Sequence, residues 1–224
     1  MCWAAGARDF PGLQESIDLK CKAVGFYWTL PVPWAGFDTL PDKIEEAAKA
    51  SRTIAFQRAL IHRFAASEGY EIVHEAAFLE VEPDRGSEFI QGALEKAATE
   101  CREHGAILLF VDFSGAQGWR SHAPMMQWLR DAEIEALPIE ATEMVIGGQA
   151  FDPHEHFAEW RSRQREWSEN KNERRAEALA RAFALQQEGL SHPTIATRLN
   201  QEGVRSLSGK PWTGEGLRKF LKGS

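Results

Sequence analysis

Apolar positions along this chain occur in two rhythms, and the change between them marks out the elements. Cys21–Leu30 is a near-continuous aromatic and β-branched run that reads as a strand, and it stops at Pro31-Val-Pro33. PVPWAGFDTLP is a loop. Residues 42–67 change to helical spacing in one or two pieces, with Ile54, Leu60, Ile61 and Phe64 on the core face and Gly69 as the stop. Tyr70–Val81 is a second strand. Ser87 is placed to cap the next helix, in which Phe89, Ile90, Leu94 and Ala97 face inward. Ala106–Phe113 is an apolar run ending in an acid, the pattern of a central parallel strand buried on both faces. A helix over 123–132, a short strand over 134–139 and a hairpin over 144–151 centred on Gly147-Gly148 follow. The alternation over 22–140 predicts an α/β domain, a mainly parallel sheet flanked by helices.

From Asp152 to about Glu188 the pattern becomes long, polar and helical, with a broken stripe of Phe157, Trp160, Trp167, Leu179 and Phe183. The segment SENKNERR (168–175) interrupts the stripe and is the linker candidate. The last stretch, 189–222, predicts a small all-α module. Ser191 caps a helix with Pro193 in its first turn, and Leu190, Ile195 and Leu199 share a face. Gly203 ends that helix, and Thr213 caps another in which Leu217, Phe220 and Leu221 point inward while Arg218, Lys219 and Lys222 point out. Two short helices, a tight turn and a basic outer face are the ingredients of a helix-turn-helix, whose second helix enters the major groove of DNA. The expected division is a leader (1–21), an α/β domain (22–150), a connecting helix (151–171) and a helix-turn-helix module (172–224).

Charge sharpens this picture. The 224-residue chain carries a formal net charge of −7, but residues 160–224 hold 13 Lys and Arg against 7 Asp and Glu. The rest has 13 basic and 26 acidic residues, so a basic tail follows an acidic body. A polyanion would be met by the tail, since the body repels phosphate. Arg198, Arg205, Lys210, Arg218, Lys219 and Lys222 are the candidate phosphate contacts, with Thr213 and Glu215 nearest the base edges. The three cysteines, Cys2, Cys21 and Cys101, are too far apart for a disulfide framework or a zinc site. In His154-Glu155-His156, i and i+2 positions do not share a helical face, so no metal is expected, and no phosphate loop or dinucleotide glycine pattern implies a cofactor. No apolar run approaches the roughly 20 residues of a membrane helix and the N-terminus has no secretory pattern, so a cytoplasmic location without membrane contact is expected.

The tail EGLSHPTIATRLNQEGVRSLSGKPWTGEGLRKFL resembles the C-terminal segment of large serine recombinases and their resolvase–invertase relatives. The matching landmarks are Gly189, Ser191, Ile195, Ala196, Leu199, Asn200, Gly203, Gly209, Trp212, Thr213, Arg218 and Leu221. Residues 53–79 resemble that family's catalytic domain through Thr53, Gln57, Arg58, Ile61, Phe64, Ala65, Gly69, Tyr70, Ile72 and Val73. Asp84-Arg85 with Leu94 looks like its arginine loop, and 106–112 like the strand ending in its Asp-Arg pair. The resemblance implies a resolvase-like sheet, double-stranded DNA as partner and a homodimer.

The departures from the family decide what is expected. Where the family has Tyr-x-Arg-Val-Ser, this chain reads Tyr27-Trp28-Thr29-Leu30-Pro31, so Leu30 holds the nucleophile's place. A hydrocarbon cannot attack phosphorus, and Trp28 cannot supply the cation its transition state needs. Asp112 survives but Phe113 replaces the first arginine, leaving Arg85, Asp112 and Arg120 as remnants. Thr29 adjoins the vacant position but points to the opposite face of a strand; Ser114 is the better substitute hydroxyl, with capping of its own loop as its other reading. Three readings follow: a DNA-binding pseudoenzyme whose body dimerises or regulates, a divergent recombinase with another nucleophile, and a ligand-sensing or protein-interaction module. The aromatic group Trp28, Trp34, Phe37 and Trp119 reads either as core or loop packing or as the lining of a small-ligand pocket in the vacated cleft.

Overall fold

The computed structural model describes residues 21–81, 86–116 and 122–223. Residues 1–20 of the expected leader, Arg85, Trp119, Arg120 and Ser121 lie outside the described residues, while Cys21 already belongs to a strand. Two compact units are formed, one by residues 21–29 and 41–153, the other by residues 30–40 and 154–223. The loop after the first strand thus belongs with the C-terminal helices, a grouping the pattern of apolar positions does not contain.

The first unit is an α/β layer structure. Its strands β1 (Cys21–Thr29), β2 (Tyr70–Leu79), β3 (Ile107–Asp112) and β4 (Ala136–Glu140) form a sheet in the order β2-β1-β3-β4, with every pairing parallel. The helices are α1 (Ile44–Ala50), α2 (Arg52–Glu68), α3 (Ile90–His104) and α4 (Ala123–Asp131). Right-handed crossovers to either side of β1 place α1 and α2 on one face and α3 and α4 on the other. Both inner strands are buried through and through: Val24, Phe26, Leu108, Leu109 and Val111 are fully covered, as expected of a sheet with helices on each side. Pro138 sits in β4, paired with Phe110, at an edge of the sheet where a missing N–H is tolerated.

Local chemistry explains the helix boundaries. Ser51 has extended backbone angles between α1 and α2, and its hydroxyl accepts the Ile54 N–H at 3.3 Å. Ser87 does not cap α3. The helix begins at Ile90 after Phe89, and the Ser87 hydroxyl is buried without a hydrogen-bond partner. Phe89, expected in the core, is 74% exposed, because the later start turns it off the face that carries Ile90, Leu94 and Ala97 inward. The hairpin β5 (Met144–Ile146) and β6 (Gln149–Phe151) closes through Gly147 and Gly148 at φ 56° and 81°, the geometry that a two-residue turn demands.

The second unit contains a 3-10 turn (Pro33–Ala35), all of α5 (Pro153–Glu169) but its first residue, α6 (Lys171–Gln187), α7 (His192–Gln201) and α8 (Gly214–Lys222). The segment 168–175 is not an open linker, since a single residue, Asn170, separates α5 from α6. Arg174 closes that break by lying 3.6 Å from the Trp167 ring centroid and donating to the Trp167 carbonyl. The apolar stripe of α6 also differs from expectation. Its buried face is Ala178, Ala182 and Leu185, small residues that let α7 and α8 approach, while Phe183 stays 46% exposed. Among the described residues no helix is long and apolar enough to cross a membrane.

Candidate functional site

Open parallel sheets bind ligands outside the carboxyl ends of their strands, at the point where strand order reverses. In the order β2-β1-β3-β4 that point lies between β1 and β3. Aromatic rings occupy it. Trp28 meets Phe113 edge-on with centroids 5.7 Å apart and meets the His122 ring at 5.3 Å. Phe56 continues the cluster toward Phe113 and stacks on Phe151 at 4.4 Å. The expected group of Trp28, Trp34, Phe37 and Trp119 is divided: Trp28 belongs to the first unit, whereas Trp34 packs in the second against Trp160 at 5.9 Å.

The polar groups at these strand ends are paired with one another. Gln57 is fully buried and clamps β1, donating to the Trp28 carbonyl at 2.6 Å and accepting the Trp28 N–H at 3.1 Å. The Thr29 hydroxyl is directed to the Ser51 hydroxyl, 2.9 Å away and buried. Leu30 is itself buried, 4% exposed. Asp112 accepts the Ser114 hydroxyl at 2.7 Å and the Ser114 N–H at 2.9 Å. Of the predicted remnants, Asp112 is therefore held in a turn with Ser114, and Arg85 and Arg120 lie outside the described residues.

The pattern of apolar positions does not reveal the deeply buried ionisable pair of this edge. Glu80, directly after β2, and His122, the residue before α4, are both 1% exposed in their side chains and 2.6 Å apart. His122 Nδ1 accepts the Met125 N–H at 3.2 Å, which assigns the ring proton to Nε2, donating to Glu80. The other Glu80 oxygen accepts the Val81 N–H. Gly86 lies against the imidazole so closely that a Cβ there would come within 2.2 Å of it. An acidic residue immediately after a parallel strand is the signal that points to Glu80; nothing local marks His122.

A second polar cluster sits at the junction of α2 with β1 and β2. Glu75 accepts from the Tyr27 hydroxyl at 2.7 Å, from Arg58 Nε at 2.8 Å and Nη2 at 3.0 Å, and lies 2.9 Å from His62 Nε2. Gly25 makes room for the phenol, since a Cβ there would come 2.5 Å from the Tyr27 oxygen. Burial alone would raise the Glu75 carboxyl, but the hydrogen bonds from Arg58, His62 and Tyr27 bring it down to about 2. A depressed carboxyl stabilises the fold above its unfolded value of about 4.3, and that contribution disappears as pH falls toward 2. Urea denaturation between pH 5 and pH 2 is expected to show a loss on the order of 2 kcal/mol that Glu75→Gln removes; an unaltered pH slope in the variant would contradict this.

On the second unit, α6, α7 and α8 enclose a core of Ala178, Ala182, Leu185, Ile195, Ala196, Leu199, Trp212 and Leu217. The Ser191 hydroxyl caps α7 and the Thr213 hydroxyl caps α8, accepting the Gly216 N–H at 3.0 Å. Asn200 and Trp212 exchange two hydrogen bonds, Trp212 N–H to Asn200 at 2.7 Å and Asn200 to the Trp212 carbonyl at 2.9 Å. They fix the segment entering α8 against α7. Arg175 of α6 donates to the Gly223 carbonyl at 2.9 Å and so closes the far end of α8.

The six predicted phosphate contacts are all exposed but not alike. Arg198 lies 3.5 Å from Glu202, whose carboxylate is already bound twice by Arg181 at 2.6 Å. Arg218 and Lys219 flank Glu215 at 3.8 and 3.2 Å. The Arg205 guanidinium lies over Gly36, with Nη2 3.6 Å from where a Cβ would stand. Lys210 follows the Ser206–Gly209 turn, and Lys222 lies in the last turn of α8.

No family model, curated protein or solved structure matches this chain. Among the described residues no group of three His, Cys, Asp or Glu is placed to hold a metal ion. Cys101 is 2% exposed, and burial pushes its thiol up to about 11.

Proposed function

We propose that this chain is a DNA-binding protein of serine-recombinase type that holds duplex DNA without cutting it. In this reading α7 and α8 act as a helix-turn-helix, with α8 in the major groove. The observation that carries it is the sidedness of α8: Leu217 is fully buried, while Arg218, Lys219 and Lys222 stand on the solvent side of a helix anchored at both ends. Cations on one rigid face can meet a row of phosphates without reordering the fold. The acidic sheet unit serves as a dimerisation or regulatory body. Loss of cleavage is supported by Leu30, by the aromatic rings at the β1–β3 edge and by the pairing of the nearby polar groups.

A second reading, a divergent recombinase, is favoured by the hydrogen bond from the Ser114 hydroxyl to Asp112, which gives that serine a carboxylate neighbour. One experiment separates the two. The full-length chain is titrated with mixed-sequence duplex DNA across a salt series, followed by denaturing electrophoresis for protein-linked strands. Retention without a covalent adduct is expected. Arg218→Ala with Lys219→Ala should weaken binding tenfold or more and lower the salt slope by about 2. No retention at low salt would end the DNA reading, and an adduct lost in Ser114→Ala would replace it with the recombinase.

A further inference from the structure

We propose that Glu215 is the specificity-determining residue of the α8 surface and that it reads the amino group of a cytosine. The inference rests on the DNA-binding reading above. Glu215 stands in the first turn of α8, at the end that meets base edges when such a helix enters the major groove. Its side chain is 67% exposed, and its ion pairs are with Lys219 and Arg218 of the same helix.

The two carboxylates of this basic surface have different work. Glu202 ties α6 to α7 through two 2.6 Å bonds from Arg181, so it is committed to the fold. Among the described residues Glu215 ties no other element, and Thr213 already caps the helix. A carboxylate there repels any phosphate brought against it. It is compatible with bound DNA only where it falls between the phosphate rows, over a base that offers a donor. In the major groove cytosine presents N4–H₂ as such a donor, and a carboxylate accepts it. As Glu215 turns to the base, Arg218 and Lys219 are released from it to the flanking phosphates. Off target, Glu215 keeps both cations engaged and phosphate at a distance, so one residue both rewards the right site and weakens binding elsewhere.

The test selects bound duplexes from a pool with a randomised core, using the full-length chain and its Glu215→Ala and Glu215→Gln variants, with helicity followed by circular dichroism to show that each is folded. The wild type is expected to fix a C·G pair at one position of the selected site, with roughly tenfold preference over the other pairs. Glu215→Ala should lose enrichment at that position alone and bind unselected duplex several-fold more tightly. A wild-type site with no cytosine sensitive to the substitution, or unchanged enrichment in Glu215→Ala, overturns the inference and leaves DNA binding standing. Failure of the wild type to retain any duplex overturns both.

Discussion

Glu80→Ala is expected to lower the stability of the chain by about 2–4 kcal/mol, because it leaves a buried N–H without its acceptor and opens a cavity. Glu80 and His122 are both 1% exposed, so the imidazole left behind cannot be rehydrated without opening the sheet edge. The substitution strands the His122 Nε2 proton and removes an acceptor from Val81. Glu80→Gln keeps the shape and an accepting oxygen, so it should recover most of the loss. Urea midpoints of the two variants measure the difference. A loss under about 1 kcal/mol for Glu80→Ala would mean that the pair is incidental to the fold.

Gly209→Val is expected to remove about 3–5 kcal/mol through two independent effects. Gly209 has φ +82°, a region that a β-branched residue enters only under strain. A Cβ there would also stand 2.7 Å from both the Cβ and the carbonyl oxygen of Pro33. Pro33 starts a 3-10 turn and has backbone on the contact side, so it cannot swing aside as a long side chain would. Thermal melting of the full-length variant checks the magnitude. Pro33→Gly in the same background should recover part of it by removing one of the three colliding atoms, and no recovery would assign the whole effect to backbone strain.

These two cases mark the boundary of what the residue pattern reveals. All four strands, their parallel arrangement and the Gly147-Gly148 hairpin were legible, because each depends on local periodicity or turn chemistry. So were the caps at Ser191 and Thr213, which need only a hydroxyl three residues ahead of an open N–H. Phe89 was misplaced because Ser87 offered an equally plausible start and the difference of a few residues rotates the helix. The Glu80–His122 pair spans 42 positions and is set by how β2 and α4 return to the same sheet edge, which no local window contains. The seating of the Ser206–Gly209 turn on Pro33 is illegible for the same reason. The outward basic residues of α8 were legible, but their engagement by Glu215 depends on rotamers and not on spacing alone.

The backbone crosses from one unit to the other three times, after residues 29, 40 and 153. Severing it after 153 therefore does not yield a free-standing helical fragment: Pro31, Pro33 and Trp34, which cover Trp160 and Gly209, would stay behind on the other piece. The two halves of such a nicked molecule are bound to travel together until one of them melts.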